Sequence, residues 1–205
     1  SISLKICVFG AGSIGGVIGG VLANAGHDVS LIARGAHLEA LRANGCRVET
    51  GGQMFNVHPA ASDTATDFGP QDIVIVAVKA PAMPAVAAGI APLLGPETAV
   101  VPAMNGIPWW FFDSFPQTGP DIHLTKLDPT GELATAIPVE RVMGCVVHMG
   151  SMVPEPGVIR HVADNRLILG EATGGVSDRL TMFASTFEGT TLSARVTDNL
   201  RQEIW

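Results

Sequence analysis

The sequence predicts an α/β fold in which a doubly wound, mostly parallel sheet carries an antiparallel carboxyl-terminal extension. Three observations predict it. An apolar run from Lys5 to Phe9 leads straight into the glycine-rich turn Gly10-Ala11-Gly12-Ser13-Ile14-Gly15 and then into a helical pattern. Short β-type apolar runs alternate with helical segments after it, as βαβ units do. The unbroken apolar run from Ile73 to Val78 suits a parallel strand covered on both faces.

Each element can be justified in turn. Ile14, Val17, Ile18, Val21 and Leu22 recur with helical spacing and give the first helix one apolar face; Gly26-His27-Asp28 ends it. Val29 to Ala33 is the second strand, and Ala36 to Asn44 a short helix with Leu38 and Leu41 turned inward. Arg47 to Val57 reads as a hairpin turning at Gly51-Gly52. After the strand Asp72 to Lys79, a helix is expected from about Met83 to Leu94, with Pro81 and Pro84 near its start and Pro92 near its end. Ala99 to Met104 forms a further strand ending at Asn105-Gly106, and Met143 to Val147 another.

The glycine-rich turn is a dinucleotide-binding start of the Rossmann type. Gly10 permits the tight turn, Gly12 lets the backbone approach a pyrophosphate, and Gly15 lets the helix pack close to its strand. The phosphates would rest on unpaired N–H groups at the helix amino end. The tip of the second strand selects the cofactor: Asp or Glu there bonds the ribose 2′-OH of NAD, whereas Arg accommodates the 2′-phosphate of NADP. Arg34 occupies that tip, so NADP(H) is the expected cofactor. Lys79 and Asn105 both close predicted parallel strands at the edge where ligands bind in open α/β sheets.

Composition narrows the classes further. With 205 residues, 47% of them hydrophobic and 15% charged, the chain can fill a large core. A net charge of −7 argues against nucleic-acid or anionic-membrane partners. Cys7, Cys46 and Cys145 are odd in number and lack CxxC spacing, so no zinc site or disulfide framework is indicated and a reducing cytoplasm is expected. No apolar run reaches the roughly 20 residues a membrane span needs. Gly15-x-x-x-Gly19 resembles a membrane dimerisation motif, but it lies beside the phosphate loop.

Together, Gly10-Ala11-Gly12-Ser13-Ile14-Gly15, Arg34, Val78-Lys79-Ala80, Asn105-Gly106, Pro156 to His161 and Arg166 to Glu171 resemble the ketopantoate reductase (2-dehydropantoate 2-reductase) family over the whole chain. The resemblance implies an amino-terminal NADPH-binding Rossmann domain, here residues 1–197, and a helical carboxyl-terminal domain that completes the active site. It implies reduction of a 2-oxo acid in pantothenate biosynthesis, with Gly10, Ala11, Gly12, Ser13, Ile14, Gly15, Arg34, Val78, Lys79 and Asn105 at the cofactor and with Lys79 and Asn105 also framing the substrate. A homodimer is compatible with it.

Two departures stand out. Ile107 to Phe112, with Trp109, Trp110, Phe111 and Phe112 in sequence, opens an insertion reaching about Pro138; it walls a bulkier substrate pocket or forms a local core. In the family a helix with a Trp-x-Lys-Leu-x-x-Asn pattern supplies the proton-donating Lys, whereas this sequence stops at Trp205 after Asp198 caps two turns of helix. A truncated chain lacking its helical domain is therefore expected, with an apolar patch exposed near Leu192 and Trp205. Lys5 and Lys126 lie in the wrong places to replace the donor. Among His123, His148 and His161, the last is expected to be structural, in an antiparallel hairpin at the sheet edge. Two other readings stay open: a Rossmann oxidoreductase for a different hydroxy acid, and a non-catalytic module that senses NADP(H).

Overall fold

A computed structural model describes residues 2–103, 128 and 130–204. In chain order it contains β1 (Lys5–Phe9), α1 (Ser13–Asn24), β2 (Asp28–Ile32), α2 (Gly35–Asn44), β3 (Cys46–Thr50), β4 (Gln53–Val57), β5 (Ala60–Ser62), β6 (Gln71–Val76), α3 (Met83–Gly89) and β7 (Leu94–Pro102). Then follow α4 (Glu132–Ala136), β8 (Met143–Glu155), β9 (Val158–Glu171), α5 (Asp178–Ser185), β10 (Ser193–Val196) and α6 (Leu200–Ile204).

The first sheet has the order β5-β2-β1-β6-β7, and every pairing in it is parallel. The chain leaves β1 toward β2 on one side and returns to β6 on the other. A crevice therefore opens at the carboxyl end of β1, where the winding direction reverses. One face of this sheet packs on α3 through Val74, Val76 and Val86, and Leu133 of α4 joins the same cluster, whereas α6 lies against β8 and β9 of the second sheet.

Sequence reading placed the later strands as an extension of that sheet, and the structure gives them a sheet of their own. Its path is β10-β9-β3-β4, with β8 antiparallel to β9. Single bridges, Val100 to Val142 and Ala103 to Cys145, tie the start of β8 to the edge strand β7. The β8–β9 hairpin is thus attached at the expected edge, but β9 is interior to the second sheet: its beginning pairs parallel with β3 and its later part parallel with β10. The β3–β4 hairpin turns at Gly51-Gly52 as expected, also in the second sheet.

Helix α1 lies between the two sheets, which explains its glycines. A Cβ at Gly19 would meet Val8 Cγ2 at 2.9 Å and Leu31 Cδ2 at 3.2 Å in the first sheet. A Cβ at Gly16 would meet Ile159 Cδ1 at 2.6 Å, and one at Gly20 would meet Val48 Cγ2 at 2.5 Å, both in the second. The Gly15-x-x-x-Gly19 spacing therefore serves packing between helix and sheet. Val17, Ile18, Val21 and Leu22 fill the gaps between the glycine contacts and are buried; Ile14, at the pocket end of the predicted stripe, is only half-buried.

Other boundaries differ in small ways with evident causes. The buried strand stops at Val76, although the Ala77 N–H still donates to Phe9 O at 3.0 Å; Val78 then lies against the glycine-rich loop, where a Cβ at Gly10 would meet Val78 Cγ1 at 2.6 Å. The third helix ends at Gly89, and Pro92, with no N–H to give, lies in the short 3₁₀ turn Ala91–Leu93 that follows. Leu192 is buried, not part of an exposed patch. No helix among the described residues is long and apolar enough to cross a membrane. The aromatic run Trp109 to Phe112, Asn105, His123, Lys126 and Trp205 lie outside the described residues.

Candidate cofactor site

The crevice at the carboxyl end of β1 is a cleft of about 770 Å³. It is lined by Gly10, Ala11, Gly12, Ser13 and Ile14 from the loop, Arg34 from the end of β2, and Val78 and Lys79 from the segment after β6. All of these are residues that the sequence predicts for a cofactor site. Gly15 stands behind the loop, where a Cβ would run into the Gly10 carbonyl oxygen and lie 2.9 Å from Val8 Cγ1, so its part is close packing.

The loop's shape follows from its bonds. Gly10 has φ +101°, a conformation that excludes a side chain, and it turns the chain so that the N–H groups of Gly10 and Ala11 both donate to Ile32 O at 3.0 Å. This ties the loop to the tip of β2. Helix α1 begins at Gly12 without a side-chain cap, and its Gly16 N–H donates to Gly12 O at 2.7 Å. The N–H groups of Gly12, Ser13 and Ile14 have no acceptor among the described residues. They are the orphan donors of a helix start, and the dipole adds positive potential there.

A diphosphate fits this cradle. A Cβ at Gly12 would meet no protein atom within 4 Å; it would stand in the open cleft, in the space an approaching anion needs. Arg34 is exposed at the other end of the loop, in extended conformation just before α2. Neither Arg34 nor Lys79 forms an ion pair with any described residue, so both cations are available to a ligand. Asp63, also on the rim, gives the cleft one carboxylate.

Lys79 follows the buried strand by three residues, at the start of the 3₁₀ turn Ala80–Ala82, and is exposed. The other expected residues are distributed differently. His148 is exposed on β8. His161 is held structurally: its Nδ1 lies 2.9 Å from Thr50 Oγ1, and Nε2 contacts the Asp164 carbonyl oxygen.

Two polar lining residues, Asp63 and His37, are not among those the sequence predicts. His37, in the first turn of α2, has Nε2 at 2.6 Å from the Ala11 carbonyl oxygen, and its Nδ1 accepts the Gly157 N–H at 2.9 Å. The available signal was its place in the first turn of the helix that follows Arg34, close to the predicted cofactor edge.

Known proteins carry this architecture. Residues 6–174 match the family model described as Ketopantoate reductase PanE/ApbA. A 2-dehydropantoate 2-reductase of Mesorhizobium japonicum is 42% identical over 203 residues, which cover 98% of this chain and 62% of that protein. A crystallised candidate ketopantoate reductase from Ralstonia solanacearum MolK2 superimposes with a TM-score of 0.91 at 47% identity, over 100% of this chain and 63% of its own. The 2-dehydropantoate 2-reductase of Porphyromonas gingivalis W83 gives 0.79 at 28% identity, over 99% and 67%. The chain thus spans about three fifths of the length of the curated relative from Mesorhizobium. With the family model covering most of the sequence, and with a relative 42% identical over 98% of it, the chain belongs to the ketopantoate reductase family of oxidoreductases.

Proposed function

We propose that this chain holds and orients NADPH for the reduction of a 2-oxo acid, 2-dehydropantoate or a close analogue, to the 2-hydroxy acid. The observation that carries the reading is Arg34: an exposed guanidinium at the tip of β2 with no ion pair among the described residues, in the same cleft as the N–H groups of Gly12, Ser13 and Ile14, which have no acceptor among them. A guanidinium matches a phosphate bidentately, which suits a ribose 2′-phosphate and gives little to a 2′-hydroxyl.

When bound, the nicotinamide supplies the hydride. The residues of the chain do the rest of the binding. Gly12 to Ile14 donate to the diphosphate, Arg34 grips the 2′-phosphate, and Val78 covers the loop from above. Lys79, with Asn105, frames the substrate by meeting its anionic or carbonyl oxygens. Residues 1–197 form the cofactor domain in this reading, and 198–205 begin the next. Because the chain spans about three fifths of its relative's length, it is expected to bind NADPH while reducing 2-dehydropantoate poorly by itself. The three cysteines are buried and unpaired, which suits a reducing cytoplasm.

Fluorescence titration of the chain with NADPH and NADH, before and after Arg34→Ala, tests the assignment. Charge-assisted hydrogen bonds contribute about 1.5–3 kcal/mol, so the variant should weaken NADPH by about 10-fold or more. NADH should change by less than about twofold, because it never used the guanidinium. Equal losses for both cofactors would remove the 2′-phosphate role.

A further inference from the structure

We infer that His37 is a positioning residue that aims the glycine-rich loop at the cofactor phosphates and locks that loop to the second sheet. This rests on the cofactor reading above. The imidazole joins segments far apart in sequence: Nε2 is 2.6 Å from Ala11 O in the loop, and Nδ1 accepts the N–H of Gly157 in the β8–β9 turn at 2.9 Å. Accepting at Nδ1 places the ring proton on Nε2, so the ring donates to Ala11. Both ring nitrogens are then committed, and His37 lines the cleft without a free nitrogen for a ligand. Its action on the ligand passes through the backbone.

The geometry of a trans peptide makes that action definite. The carbonyl of Ala11 and the N–H of Gly12 belong to one planar unit and point in opposite directions. Holding the carbonyl against His37 therefore turns the Gly12 N–H away from His37, and that N–H has no acceptor among the described residues. Gly12 tolerates many backbone conformations, so without the bond this peptide would sample several orientations. The other end of the clamp is firm: Gly157 has φ +80°, and its carbonyl accepts the Arg47 N–H of β3 at 3.0 Å.

Two substitutions separate the halves of the clamp. His37→Gln can place an amide N–H where Nε2 stands, keeping the bond to Ala11 and losing the acceptor for Gly157. His37→Asn can place an oxygen where Nδ1 stands, keeping Gly157 and losing Ala11. Titration with NADPH should show an increase in Kd of about 3- to 10-fold for His37→Asn, the range of one lost hydrogen bond, and less than about twofold for His37→Gln. Melting temperatures should fall in both. Equal changes in Kd for the two variants, or none for His37→Asn, would leave His37 a structural residue only and overturn the inference. Nitrogen-15 NMR of the unsubstituted chain gives a second reading that needs no variant: the imidazole should stay in the Nε2–H tautomer with and without NADPH, and tautomer averaging would overturn it. Absence of any NADPH binding by the unsubstituted chain would overturn the cofactor reading together with this one, whereas normal binding with unseparated variants overturns this one alone.

Discussion

Replacing Gly16 by alanine should destabilise the protein even though alanine is the better helix former. The new Cβ would lie 2.6 Å from Ile159 Cδ1 and 2.7 Å from Ile159 Cγ1, both closer than carbon atoms approach without displacement. Ile159 is fully buried in the second sheet and cannot swing into solvent. Alanine gains about 1 kcal/mol over glycine in a helix interior. Overpacking a filled core costs about 1–3 kcal/mol. The balance is a loss on the order of 1 kcal/mol, or about 2–4 °C in Tm for a chain of this size. Ile159→Val removes Cδ1, the atom in closest conflict. Alone it should cost about 0.5–1.5 kcal/mol. Combined with Gly16→Ala it should cost less than the sum, with a coupling of about 0.5 kcal/mol or more. Urea and thermal denaturation of the four proteins measure the cycle. A Gly16→Ala protein as stable as its parent, or strict additivity in the double variant, would refute the packing of α1 between two sheets.

Acid should weaken the fold in a window set by His27. Burial holds this imidazole below its ordinary value of 6.5, and Nδ1 accepts the Leu4 N–H at 3.1 Å. The unfolded chain takes up the proton before the folded one does, so this contribution is complete above about pH 6.5 and is lost as the pH falls below it. Tm should decline between about pH 7 and pH 5, and His27→Asn should flatten that part of the profile; an unchanged slope would exclude His27 as its source. Glu49 acts lower, because its hydrogen bond from Arg160 holds the carboxyl below the usual 4.5 and its contribution fades only as the pH falls through that range. The thiols should be inert in the folded protein: burial pushes Cys7 and Cys145 up to about 12 and Cys46 up to about 11. A chromogenic disulfide reagent at about pH 8 should find no fast thiol until denaturant is added, and a rapid native reaction would contradict their burial.

What the sequence revealed was local, and what it concealed was distant. The strand, glycine-rich turn, helix and Arg34 are encoded within about one βαβ unit, where chain geometry alone fixes who meets whom. Gly10 to Ile14, Arg34, Val78 and Lys79 accordingly line one cleft. The early end of β6 was hidden because Ala77 and Val78 are as apolar as the strand they leave. The second sheet was hidden for a stronger reason. The register of Arg47 with Val158 joins β3 to a strand more than a hundred residues later, and no periodicity in either segment announces it. His37 belongs to that class through one partner: Ala11 lies 26 residues away in the same βαβ region, whereas Gly157 lies 120 residues away.

The glycines of α1 also bear on how this protein reaches its native state. Gly15, Gly16, Gly19 and Gly20 together weaken the intrinsic helicity of a twelve-residue segment by about 4 kcal/mol relative to alanine, so the helix is held by its surroundings and not by its own sequence. Those surroundings are complete only when both sheets have closed on it, and the second sheet needs the most distant strand pairings in the chain. The glycine-rich loop is anchored at the first turn of this same helix. If the loop holds nucleotide as proposed, loss of binding in denaturant should coincide with the global unfolding transition, so that capture would report the closure of both sheets rather than the loop alone.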